Sequence, residues 1–217
     1  MIEMIDVWKS FESQKSGRQN VILRGVHGRF RKGDHVGILG RNGSGKSTLM
    51  RLLSGVENPT RGSIRREMSI SWPIGGGYGL QYQVSGASNA RFIARLYGTP
   101  LQQTQDFVEE FSELGRYYYE PVHTYSSGMV SRLLMGLSFA VDFDCYLVDE
   151  ALSTGDARFA AKCQHMLEVR RETAAMILVS HNAMHVRQYC DTAAILRNGM
   201  LEFYEDVDEA IAAYSGL

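Results

Sequence analysis

The 217-residue chain contains no apolar run long enough to cross a bilayer. Its longest runs, Ala174 to Val179 and Cys145 to Val148, fall far short of the ~20 residues that a membrane-spanning helix needs. It has no excess of either charge. With 23 basic and 24 acidic residues the formal net charge is -1, so no overall field draws the chain onto nucleic acid or an anionic membrane. A protein partner would have to hold it at a membrane. Cysteine is scarce: Cys145, Cys163 and Cys190 are odd in number and scattered, which excludes a zinc spacing or a disulfide framework and fits a reducing cytoplasm. The stretch Met1 to Phe11 is interrupted by Glu3, Asp6 and Lys9, so it is no signal peptide. Repeats and low-complexity tracts are absent as well. What remains is a chain of ordinary globular composition, large enough for one sizeable domain with its own core and tight for two.

Residues 1–39 read as short strands broken by a polar turn at Ser13 to Asn20, ending in the buried-type strand Asp34 to Leu39. A glycine-rich loop leads into a helix from Lys46 to Leu53. Ser63 to Trp72 reads as more strand, and Pro73 to Ser85 as a loop with four glycines. Helices are expected at Asn89 to Tyr97 and Leu101 to Phe111. Beyond Ser127, apolar residues at Val130, Leu133, Leu134, Leu137 and Val141 mark another helix with one buried face. Cys145 to Val148 and Ala175 to Val179 are buried-type strands flanking a helix, Ala157 to Glu172, and such a unit predicts a parallel sheet. A strand at Thr192 to Arg197, an Asn198-Gly199 turn and a helix at Val207 to Ser215 complete an α/β core with an antiparallel β portion at the front.

Gly40-Arg-Asn-Gly-Ser-Gly-Lys-Ser-Thr48 fits the phosphate-binding pattern G-x-x-x-x-G-K-[ST], between a strand and a helix as that pattern requires. Polyphosphate is a dense anion and needs many donors at short range. Gly40, Gly43 and Gly45 let the backbone curl so that successive N–H groups, those of Asn42 and Ser44 among them, face one point. The helix beginning near Lys46 adds its positive end. Lys46 supplies a mobile charge for the β- and γ-phosphates, and Ser47 a hydroxyl for Mg²⁺, with Thr48 beside it. Such a loop alone does not separate kinases, GTPases and transport ATPases.

Cys145-Tyr-Leu-Val-Asp149-Glu150 is an apolar strand ending in two carboxylates. In an open parallel sheet ligands sit at such strand ends. Asp149 suits Mg²⁺, through water, and Glu150 suits a base that orients and deprotonates the attacking water. Two adjacent carboxylates repel, and a nearby cation accounts for both.

Tyr125-Ser126-Ser127-Gly128-Met129 precedes the long helix and the carboxylate strand. Taken alone it would be a helix cap. In this order it resembles the signature sequence of the ABC ATPases, usually L-S-G-G-Q, with Ser127 and Met129 departing from the common form. The resemblance implies further roles. His181 stands where that family places its switch histidine, which senses the γ-phosphate; a metal pair with His185 lacks a visible third ligand. Asp156 stands for the D-loop aspartate. Gln81, with Gln83 as its rival, stands for the Q-loop glutamine, a Mg²⁺ ligand and ATP contact. Phe11 is the candidate for stacking on adenine, and Trp8 the alternative. Ile38 to Lys46, Ser71 to Gly75, Asn89 to Gly98, Tyr125 to Met129 and Asp149 to Asp156 are similar to the ATPases that export capsular polysaccharide in Gram-negative bacteria, nearly end to end. In that subgroup the signature and D-loop variants are usual. Leu80-Gln81-Tyr82-Gln83 departs from it, because the subgroup tends to have an aromatic before the glutamine.

This resemblance implies an α/β P-loop NTPase fold of the ABC ATPase type, with a parallel core sheet, an antiparallel β subdomain and an α-helical subdomain. Residues 1–85 and 145–217 would form the core with the β subdomain, and 86–144 the helical part. The cofactors implied are ATP and Mg²⁺. The partners are a second copy of the chain, integral membrane permease subunits, a periplasmic co-polymerase and outer-membrane export proteins, with lipid-linked polysaccharide as cargo and no nucleic acid. The place implied is the cytoplasmic face of the bacterial inner membrane. The chain stops at Leu217, so the extra C-terminal sugar-binding domain of related O-antigen exporters is not expected. Other readings are export of O-antigen, teichoic acid or another glycolipid, a soluble ABC protein acting on DNA or ribosomes, and a small-molecule kinase. The kinase reading leaves the signature turn and the histidine unexplained.

Overall fold

The computed structural model describes residues 1–12, 19–76, 79–149 and 156–216. They group into two compact units. Unit 1 comprises Met1–Pro73, Phe143–Glu150 and Glu168–Leu217, and unit 2 comprises Ile74–Asp142 and Ala151–Leu167.

Unit 1 opens with two long antiparallel strands, β1 (Ile2–Glu12) and β2 (Gln19–Phe30). Alternation in β1 is imperfect for a local reason. Asp6 takes a positive φ of 47°, the register shifts between Met4 and Val7, and burial resumes at Val7 out of phase. The strand β3 (His35–Leu39) leads into helix α1 (Lys46–Ser54), and β4 (Arg61–Arg66) returns to pair with β1, giving a three-stranded sheet in the order β2-β1-β4.

The second sheet joins β5 (Cys145–Asp149), β6 (Ala175–Ser180), β3, β7 (Thr192–Arg197) and β8 (Met200–Tyr204), in the order β5-β6-β3-β7-β8. The first four run parallel. The last is antiparallel across the Asn198-Gly199 turn, whose two residues both have positive φ, as a tight hairpin demands. All six residues of β6 are buried, as in strands covered on both faces. Ile2, Leu23, Phe30, Ile38, Leu49, Leu52, Leu147 and Ile177 belong to one core.

The expected strand Ser63 to Trp72 breaks after Arg66. Beyond it Ser71, fully buried, donates its N–H to the Cys145 carbonyl at 2.9 Å and accepts the Leu147 N–H on Oγ at 2.9 Å. This segment lies along the free edge of β5. Asp144 fastens it there: Oδ2 accepts the Ser69 N–H at 2.9 Å, and Oδ1 meets Lys32 Nζ at 2.6 Å. The Lys32 ammonium first, and the Ser69 N–H second, hold the Asp144 carboxyl down to about 2. A carboxylate depressed in this way stabilises the fold fully above its unfolded value of about 4 and loses that contribution as pH falls through about 2. Asp144→Asn is therefore expected to flatten acid denaturation between about pH 4 and 2, followed by circular dichroism. An acid profile identical to the parent's would refute this clamp.

Unit 2 is helical: α2 (Gly86–Tyr97), α3 (Leu101–Ser112), two single-turn 3₁₀ segments at Gly115–Tyr119 and Val122–Thr124, and α4 (Ser127–Phe139). The first part of α5 (Ala157–Arg171) also belongs to it. Phe111 binds these helices together, its ring 5.5 Å from those of Phe107 and Phe139 and 5.7 Å from that of Phe159. The helical unit thus begins at Ile74 rather than at 86. The reason is hydrogen bonding. The Tyr82 and Val84 carbonyls accept the His123 and Val122 N–H groups at 2.9 and 3.0 Å, which ties the loop to the helices. Two short helices complete unit 1: α6 (Ala183–Tyr189), which periodicity did not announce, and α7 (Val207–Ser215). No helix among the described residues is long and apolar enough to cross a membrane.

Candidate functional site

The loop after β3 turns because Gly43 and Gly45 occupy the left-handed region, at φ 83° and 107°. Gly45 has a second constraint: a Cβ there would lie 2.7 Å from Ile22 Cγ2 of β2. A side chain at Gly40 would in turn strike Ser44 Oγ at 2.6 Å. The loop is closed from within. Lys46 Nζ donates to the Gly40 carbonyl at 2.6 Å and to that of Arg41 at 3.1 Å, and the Ser44 N–H reaches the Arg41 carbonyl at 3.1 Å. The first bond inside α1 runs from the Leu49 N–H to the Gly45 carbonyl at 2.9 Å. The N–H groups of Lys46, Ser47 and Thr48 therefore face out of the helix end.

Ser44 Oγ is buried without a hydrogen-bond partner among the described residues. Such a donor is costly unless an anion meets it, so the loop fits a phosphate chain. Ser47 is exposed on the first turn. Thr48 points the other way: it is buried, and its hydroxyl accepts from Arg51 at 3.4 Å. Only the Thr48 backbone is left for a ligand.

A cleft of about 980 Å³ adjoins this loop, bounded by the start of β2, residues 40–44, the β7–β8 turn and Tyr214. Arg24, Arg41 and Arg197 line it and give it a positive wall. Asn20 lines it too, and Asn20 pairs with Phe11 across the β1–β2 ladder. Phe11 is exposed beneath Lys9, whose Nζ lies 4.9 Å from the ring centroid. Trp8 is engaged elsewhere, donating Nε1–H to Asp6 Oδ1 at 2.7 Å.

Register explains how distant residues reach the same sheet edge. Leu39 pairs with Ser180 and Val179 with Asp149. Gly40 and His181 thus leave neighbouring parallel strands side by side, and Asp149 ends the next strand along. Below His181, buried Ser180 accepts the Asn182 N–H on Oγ at 2.9 Å, and Asn182 caps α6 through the Met184 N–H at 2.9 Å. Exposed Ser47 and half-buried Asp149 carry hard oxygen donors of the kind Mg²⁺ takes. Glu150 and residues 151–155, with the start of the D-loop variant, lie outside the described residues.

Unit 2 holds the other candidates: Gln81, Ser126, Ser127, Gly128 and Asp156. Ser126 caps α4, its Oγ accepting the Met129 N–H at 3.3 Å. Tyr125 anchors the turn, its hydroxyl donating to the Tyr117 carbonyl at 2.5 Å. Of the three consecutive tyrosines 117–119, Tyr118 is buried and donates to the Gln105 carbonyl at 3.1 Å, which makes it a structural residue. Around Gln81 the fold supplies a residue to which spacing assigned no role. Buried Asn89 accepts the Gln81 N–H at 2.8 Å and donates to the carbonyls of Gln81 and Ser85, both at 3.0 Å. The backbone of Gln81 is thereby fixed, while its side chain stays exposed. The one available signal was an asparagine on the buried face of a helix. Asn89→Ala should cost about 2 kcal/mol, because it leaves the part-buried backbone N–H and carbonyl of Gln81 without their side-chain partner. Urea denaturation reads this out, and a midpoint within error of the parent's would refute it.

Comparison with known proteins places these features. Residues 23–153 match the family model described as ABC transporter. Over 217 residues the chain is 48% identical to the capsule polysaccharide export ATP-binding protein CtrD of Neisseria meningitidis serogroup B, covering 100% of both chains. It is 46% identical over 215 residues to the ATP-binding protein BexA of Haemophilus influenzae, covering 99% of this chain and 98% of that one. Among solved structures, a dimeric post-hydrolysis state of the ATP-binding cassette MJ0796 bound to ADP and Pi superposes with a TM-score of 0.78 at 17% identity, over 93% of this chain and 97% of that one. The chain belongs to the ABC transporter family, as one of its ATP-hydrolysing cassettes.

Proposed function

We propose that two copies of this chain power an exporter that moves lipid-linked capsular polysaccharide across the inner membrane, working from its cytoplasmic face. The observation that carries this reading is the full-length, 48% identity to a capsule polysaccharide export ATP-binding protein. The permease subunits of the exporter span the membrane. A periplasmic co-polymerase and outer-membrane export proteins would take the polysaccharide onward.

Residue chemistry, the family resemblance and the positions described above support the following roles. The loop Gly40 to Thr48 holds the phosphates, with Ser44 Oγ and Lys46 Nζ as its side-chain donors. Phe11, beside the cleft, stacks on the adenine. Ser47, Gln81 and Asp149 would hold Mg²⁺, which offsets phosphate charge when bound. Glu150 orients and deprotonates the attacking water. His181, level with Gly40 on the sheet edge, reads the γ-phosphate. Ser126, Ser127 and Gly128 of one copy present N–H and O–H donors to the nucleotide on the other copy, with Asp156 nearby in sequence order after Glu150. One chain then carries both halves of the site, and neither half is complete without the second copy. Loss of the γ-phosphate contacts releases the pair.

The test is Lys46→Ala in the source cell, with polysaccharide extracted separately from the surface and the interior. Loss of surface capsule with lipid-linked glycan accumulating inside is the expected outcome. Accumulation of another glycolipid would replace the cargo. An unchanged surface, in a cell without a second ATPase able to substitute, overturns the export reading.

A further inference from the structure

Unit 1 carries a second groove, of about 510 Å³, lined by His35, Glu168, Arg171, Glu172, Gln188 and Tyr189. It lies at the opposite end of β3 from the phosphate loop, because His35 opens that strand and Leu39 closes it. Asp191 occupies two of the lining groups. Its Oδ1 accepts from Arg171 Nη2 at 2.6 Å, and its Oδ2 faces His35 Nδ1 at 2.6 Å. His35 Nε2 faces the Arg171 and Ala174 carbonyls at 3.0 and 3.3 Å. The imidazole therefore has no nitrogen left for a ligand, and Asp191 offsets the charge of Arg171.

Other groups of the groove are uncommitted. Tyr189 is only 4% exposed, and its hydroxyl has no hydrogen-bond partner among the described residues. Burial first, and the Glu168 carboxylate second, push this hydroxyl above its ordinary range. It keeps its proton and can both donate and accept. Arg171 Nε is buried and unpartnered as well. Such groups are costly to leave unmet. Glu168 and Glu172, both exposed, stand one helical turn apart on α5, where like charges repel. Among the described residues no ion pair reaches either carboxylate.

We infer that this groove binds a lysine or arginine residue of a protein partner. Its cationic head meets Glu168, Glu172 and the Tyr189 oxygen, and its peptide carbonyl accepts the Arg171 Nε–H. The chemistry selects this ligand. Two uncompensated carboxylates call for a cation, and the phenol oxygen adds an acceptor for one of its N–H groups. A metal ion is the poorer fit, because no group of three or more His, Cys, Asp or Glu suited to one exists among the described residues. The Arg171 N–H calls for an oxygen acceptor, which a simple amine lacks and a peptide supplies at every residue. The site stands apart from the nucleotide chemistry, which neither supports it nor falls with it.

The experiment titrates the full-length protein with the capped tripeptide acetyl-Ala-Arg-Ala-amide and, separately, with n-butylguanidinium, which has the head but no peptide carbonyl. Amide chemical shifts in NMR spectra report binding. The expected result is saturable shifts at the residues lining the groove, with the peptide bound about fivefold more tightly than the small cation. Glu168→Gln together with Glu172→Gln should weaken peptide binding by about tenfold or more, and Tyr189→Phe by about fivefold. ATP turnover without peptide should match the parent's in all of them. Tyr189→Phe should also melt no lower than the parent, because phenylalanine keeps the ring and removes only an unpartnered hydroxyl. Absence of saturable shifts with either probe overturns the site. Equal affinity for the two probes overturns the assignment to a peptide. A Tyr189→Phe midpoint several degrees below the parent's overturns the inference too, since the hydroxyl would then already be satisfied in the free protein.

Discussion

Lys46→Ala is expected to abolish ATP turnover, lowering kcat by about a thousandfold or more. Two losses add in that variant. In the proposed role the ammonium supplies a mobile charge to the β- and γ-phosphates. It also closes the loop, through the 2.6 Å bond to the Gly40 carbonyl and the 3.1 Å bond to that of Arg41. Without it both carbonyls remain inside a ring of N–H groups meant for an anion, and they repel the phosphates. Nucleotide affinity should therefore fall together with kcat. Folding should not suffer, because Lys46 opens α1 at a half-exposed position where alanine is well tolerated. Phosphate release and fluorescent-nucleotide titration measure the two effects separately. A variant that keeps more than about a tenth of the parent's turnover would refute the role of this lysine.

Glu150→Gln is expected to act in the opposite way on binding. Glutamine keeps the size of the side chain and a hydrogen-bond acceptor but cannot take a proton from water. Turnover should fall by about a hundredfold or more, the range for loss of a general base. Nucleotide affinity should hold, because the phosphate loop is untouched. ATP then persists between the signature turn of one copy and the phosphate loop of the other, and the pair accumulates. Size-exclusion chromatography with ATP and Mg²⁺ reads this directly. Elution as a monomer at high protein concentration would count against the shared site. Elution as a dimer also without ATP would remove the nucleotide from its role in holding the pair.

How far the residues announced these results depends on the distance over which each interaction closes. The phosphate loop is legible because its chemistry is local. Lys46 bonds to Gly40 and Arg41, and the glycines at 43 and 45 answer backbone demands within the same turn. The Asn198-Gly199 hairpin and the Asn182 cap of α6 are equally local, although α6 itself, at seven residues, is too short for periodicity to single out. Thr48 illustrates the limit. The motif pairs it with Ser47, yet helical rotation turns its side chain into the core.

The sequence by itself determined the nucleotide chemistry, the family and the order of the motifs. Each of these rests on residue types at fixed short spacings, where backbone geometry leaves few choices. Tertiary structure alone decided which distant groups share a task. It set His181 beside Gly40 through the pairing of β6 with β3, closed Asn89 over the backbone of Gln81, and clamped Ser69 with Asp144. A polar side chain declares that it needs a partner, and only the packing of the core determines which one comes within hydrogen-bonding distance.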